Sequence, residues 1–153
     1  MTWPLAKLGS RFSLLFEPAR RRVMHSALGR FLDAPLDLAV GIQRPDGQER
    51  VLPLTAHGTP LYGCEQFERA GSLTFRGHDP DLGLRFEFNI RSPFYPQDER
   101  HCLLPVFFME LRVDHQPRVR LRQQPKPPRK VRVFIRFGRD ETDLSVDRAQ
   151  VSI

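Results

Sequence analysis

Leu84-Arg85-Phe86-Glu87-Phe88-Asn89-Ile90-Arg91 is the stretch that decides the fold. Apolar and polar side chains alternate at every position, the spacing that puts one set on each face of an extended chain, so this segment reads as a strand with one buried and one wet face. The same alternation recurs on both sides. Upstream, Leu36, Leu38, Val40 and Ile42 alternate with Asp37, Ala39 and Gly41; Pro45-Asp46-Gly47 then reads as a turn, after which Val51 to Leu54 can pair back as a hairpin. Downstream, Phe107, Met109, Leu111 and Val113 form a third stripe and Val131, Val133, Ile135 and Phe137 a fourth, and both, with Leu84, Phe86, Phe88 and Ile90, are expected to be mainly buried. A weaker strand, Ser72 to Phe75, leads into the turn-like Gly77-His78-Asp79-Pro80-Asp81.

The 14 prolines and 10 glycines interrupt every long stretch, and Glu65 to Ala70 is the one segment that could form a short helical turn. Many short strands between Pro and Gly turns predict an all-β fold, an antiparallel β-sandwich or barrel. At 153 residues the chain fits a single domain (1–153), or a fragment of one, and can bury a core without staples. Residues 1–22 read as an irregular basic N-terminal segment, and no secretion signal or membrane span is legible. Cys64 and Cys102 are too few for a disulfide framework and are expected to be reduced, buried thiols, which favours a cytoplasmic setting.

The net charge of +6 is local in origin. Arg20, Arg21 and Arg22 supply part of it, and the segment from Arg118 to Arg139 holds nine Lys or Arg and no acid. Arg118, Arg120, Arg132 and Arg136 are expected to form the solvated face opposite an apolar stripe. Phe134, between Arg132 and Arg136, keeps open an alternative, a free-standing β-sandwich binding module that uses a basic face for an acidic partner or nucleic acid, since rings beside cations can hold single strands. A net negative charge over residues 25–117 opposes a long phosphate backbone. Pro125 to Lys130 reads as a stiff loop.

No complete catalytic constellation emerges. His101 and Cys102 are neighbours on an extended chain and point to opposite sides. His78, Asp79 and Asp81 form one short cluster that reads as a turn, not a metal site. A glycosidase needs two carboxylates held across a sugar, and Glu87, Asp98, Glu99 and Glu110 offer no distinguished pair. Catalytic residues, metal and cofactor are therefore all expected to be none.

The stretch Phe86-Glu87-Phe88-Asn89-Ile90-Arg91-Ser92-Pro93-Phe94-Tyr95-Pro96, followed by Leu104-Pro105-Val106-Phe107-Phe108-Met109-Glu110-Leu111-Arg112-Val113, resembles the N-terminal β-sandwich of glycoside hydrolase families 52 and 116. His25-Ser26-Ala27-Leu28-Gly29 is similar to an early His-Ser-Pro-x-Gly stretch of family 52, with Ala27 in place of the proline. The resemblance runs loosely over residues 23–140. It implies a supersandwich-like portion, incomplete in itself, that packs on and rims a helical glycosidase catalytic domain absent from this chain. It also implies a possible carbohydrate contact at His25, and carries no catalytic residue over.

Overall fold

The structure, a computed structural model, describes residues 3–6, 13–27, 30–31, 36–92, 97–98, 100, 106–115 and 131–137. Twelve strands lie among them: β1 (Trp3–Ala6), β2 (Ser13–Glu17), β3 (Arg22–Ala27), β4 (Arg30–Phe31), β5 (Leu38–Gln43), β6 (Glu49–Val51), β7 (Thr59–Pro60), β8 (Tyr62–Arg69), β9 (Ser72–Asp79), β10 (Leu84–Arg91), β11 (Phe108–His115) and β12 (Arg132–Phe137). They form three four-stranded sheets, ordered β1-β2-β3-β4, β11-β10-β9-β8 and β12-β5-β6-β7. Pairing is antiparallel except between β6 and β7. The expected all-β, sandwich-like architecture is thus observed. No helix among the described residues is long and apolar enough to cross a membrane.

β10 is the spine of its sheet. Phe86 lies opposite Gly77 on β9 and Val113 on β11; Phe88 lies opposite Phe75 and Leu111, and Ile90 opposite Leu73 and Met109. Directly opposed residues share a face, so the period-two pattern of one strand continues as apolar rows across the sheet. The rows face Leu14, Phe16 and Val23 of β2–β3 and Leu38, Val40 and Ile42 of β5, and the three sheets close one common core. Phe16 and Phe75 meet across it with ring centroids 5.4 Å apart. Leu84, Phe107, Met109, Leu111, Val113, Val131 and Phe137 are partly buried against this cluster.

Two glycines are required by geometry. Gly71 closes the tight β8–β9 hairpin at φ +71°, a backbone region that residues with a Cβ avoid. At Gly41 an added Cβ would stand 2.0 Å from the Arg50 carbonyl oxygen, so β5 and β6 can approach as they do only without a side chain there.

Four expectations need correction. The N-terminal segment expected to be irregular contains β1, β2 and a single 3-10 turn at Pro18–Arg20, because Leu14 and Phe16 alternate into the core. Glu65 to Ala70, read as a possible helical turn, belongs largely to β8: its long side chains lie on a sheet-edge strand whose pairing with β9 outweighs its helix propensity. His78 and Asp79 are the last residues of β9, and the reversal falls later, at 80–83. Val133 and Ile135 lie on the core side, opposite the fully buried Ile42 and Val40, yet are 42% and 38% exposed. β12 is the edge of its sheet, and its inward side chains are only partly covered.

Candidate functional site

The basic strand, the first candidate from sequence, has its charge partly committed. Arg136 on β12 donates from both terminal nitrogens to Glu49, each contact 3.1 Å, and its guanidinium sits 5.1 Å from the centroid of the Phe134 ring. The hydrogen bond to Glu49 raises the Arg136 pKa above the usual guanidinium value. Arg132 is exposed at the start of the same strand. Phe134 is half-buried with Arg136 lying over it, so the ring is not a bare stacking platform. Arg118 and Arg120 lie outside the described residues, as do Glu99, His101 and Cys102.

His25 lies on β3 opposite Leu14, at the margin of the core, and its Nδ1 is buried without a hydrogen-bond partner. It does not line the cleft described below. Cys64 is a free thiol that donates to the Leu61 carbonyl oxygen, and burial raises its pKa, which keeps it protonated and unreactive at neutral pH.

Asp79, Asp81, Glu87 and Glu110 are held in structural pairs. Asp79 is almost fully buried; its Oδ1 accepts the Asp81 and Leu82 amides, closing the β9–β10 turn, while Oδ2 stands 3.7 Å from Arg44 Nε. Arg44 also donates to Asp81, tying this turn to the end of β5. No group of three or more metal-ligating side chains occurs among the described residues. On the outer face of the β8–β11 sheet Glu87 accepts from Arg76 at 2.7 Å and Glu110 from Arg112 at 3.2 Å. Arginines also cover the rings on this face: Arg76 over Phe67, Arg91 over Phe108 and, from β6, Arg50 over Tyr62.

A cleft that sequence reading did not anticipate opens where the turn between β2 and β3 meets the loop after β6. Its volume is about 390 Å³, and Arg21, Arg22, Asp37, Thr55 and His57 line it with Leu54. The 3-10 turn is closed by the Arg21 amide donating to the Pro18 carbonyl oxygen at 3.0 Å, which leaves Arg21 at φ 50°, ψ 51°. This is the left-handed region, and Arg21 is the one non-glycine residue with positive φ among those described. Such a conformation costs of order 1 kcal/mol or more and persists where surrounding contacts hold it. Here the holding contacts run from the Arg21 terminal nitrogen to the carbonyl oxygens of His57 (3.1 Å) and Gly58 (2.8 Å). The His57 amide in turn donates to Thr55 Oγ1 at 3.2 Å, and Thr55 Oγ1 approaches Asp37 Oδ1 at 3.4 Å.

The arginine run and Pro18 were visible in the sequence, but the cleft draws on three separated segments that no local spacing connects. No protein-family model, curated protein or solved structure matches the chain.

Proposed function

We propose that this chain is a non-catalytic N-terminal β-sandwich portion of a glycoside hydrolase, and that its work is to pack on and rim a helical catalytic domain. The observation that supports this reading most is the partly covered core side of β12. Val133 and Ile135 stand opposite the fully buried Ile42 and Val40, so their exposure leaves an apolar strip continuous with the core, the kind of surface a neighbouring domain covers. The pairing of Glu87 with Arg76 and of Glu110 with Arg112 fits a module without a working carboxylate pair. The hydrolase assignment itself rests on the resemblance centred on residues 86–113. The free thiol of Cys64 is compatible with a cytoplasmic setting.

Co-expression tests the docking. The chain is produced together with the helix-rich polypeptide encoded in continuation of its reading frame or beside it, and the mixture is fractionated by size. Co-elution that is weakened by the paired substitutions Val133→Thr and Ile135→Thr is the expected result. Separate elution of two folded components would overturn the reading.

A further inference from the structure

We propose that the cleft between the β2–β3 turn and the loop after β6 is a binding site for a small molecule bearing one oxyanion group, a carboxylate or a phosphate, with the Arg21 guanidinium as its anchor. The inference is independent of the hydrolase reading. It starts from the distribution of charge in the three-arginine run. Glu17 pairs with both flanking residues, Arg20 at 3.7 Å and Arg22 at closer range, so each of them has a carboxylate partner, though the two share one negative charge. Arg21 is different: its hydrogen bonds go to two neutral carbonyls, and it forms no ion pair among the described residues. A guanidinium carries five donors in a fixed fork suited to carboxylate or phosphate, and two carbonyl contacts leave most of that fork unused.

The backbone adds a second argument. The turn hydrogen bond and the two carbonyl contacts that hold Arg21 at positive φ also fix the direction in which its side chain leaves the backbone. Preorganised strain of this kind clusters where a side chain must be aimed. The cleft has the size of ordinary small-ligand sites, with a few polar groups around an apolar wall that includes Leu54. Asp37, which also lines the cleft, sets the class more narrowly. Its carboxylate repels a second negative charge, so the site suits a single anionic head, with hydroxyl or amine groups reaching toward Asp37 and Thr55, and disfavours polyanions.

The test is a titration of the full chain with two probes, sodium benzoate and inorganic phosphate, at constant ionic strength maintained with chloride. Amide chemical shifts are followed by NMR. Saturable changes at Arg21, Thr55 and His57 with either probe are expected, and which probe acts tells a carboxylate ligand from a phosphate. Arg21→Gly accepts the left-handed backbone without strain, so it should fold while losing at least tenfold in affinity. Arg21→Lys, which keeps the charge but not the fork, should fall between the two. Absence of saturable shifts in the wild-type chain, or equal affinity in wild type and either folded variant, overturns the proposal.

Discussion

Arg136 on β12 and Glu49 on β6 are joined by two guanidinium–carboxylate contacts of 3.1 Å that span the intervening strand β5. The pair links three strands of one sheet at its outer face and takes Arg136 out of the pool of cations free for an acidic partner. Both side chains retain contact with solvent, 47% for Arg136 and 26% for Glu49, so screening limits what the pair contributes. Arg136→Gln is expected to cost less than about 1 kcal/mol in urea unfolding. A double-mutant cycle with Glu49→Gln checks it, and a coupling near zero would show that the pair is decorative.

The core makes the opposite demand. Phe88 is fully buried at the centre of the β9–β10–β11 row, between Phe75 and Leu111. Phe88→Ala should destabilise by about 3–5 kcal/mol, the lost transfer energy plus the cavity left behind. Val133→Thr, on an edge strand at 42% exposure, should change stability by less than about 0.5 kcal/mol in the isolated chain. Equal effects of the two substitutions in denaturant titration would refute the assignment of β12 as a partly covered edge.

These two sites also show what the sequence could and could not convey. The alternation from Leu84 to Ile90 identified β10 and its buried face, because a half-buried strand must alternate. The same logic put Val133 and Ile135 on the correct side of β12, where the structure agrees, yet a period-two pattern says nothing about whether another layer covers that side. The N-terminal strands were hidden by the arginine run beside them. Arg21 was legible as a charge, whereas its left-handed backbone and its contacts to His57 and Gly58 depend on a loop 36 residues away.

Gly41 offers a steric test of the β5–β6 approach. Gly41→Ala brings a methyl group 2.0 Å from the Arg50 carbonyl oxygen, so the strand pair must separate. A loss of about 1–3 kcal/mol is expected, as for other overpacked sites. Thermal unfolding with an unchanged midpoint would show that the two strands are not in this register.

Asp79 carries the β9–β10 turn. Asp79→Ala removes the acceptor for the Asp81 and Leu82 amides and should cost about 1–3 kcal/mol, with stability insensitive to chelators in wild type and variant alike. A chelator-dependent melting temperature in the wild-type chain would contradict this.

The Cys64 thiol gives a pH dependence of definite sign. Burial raises its pKa in the folded state, so folding favours the protonated thiol. Its contribution is fully present below the ordinary thiol range and is lost as pH climbs through the raised value of the folded protein. Cys64→Ala should therefore flatten the decline of stability on the alkaline side, read as denaturation midpoints between neutral and alkaline pH. An identical alkaline decline in the variant would remove Cys64 from the account.

The proposal that this sandwich is non-catalytic is tested most directly by incubating the purified chain with nitrophenyl β-xyloside and β-glucoside and following release of the phenol. No release above the uncatalysed rate is expected, because Glu87 and Glu110 are each paired with an arginine on an outer sheet face. Turnover above that rate, abolished by Glu87→Gln, Glu110→Gln or Asp98→Asn, would contradict it.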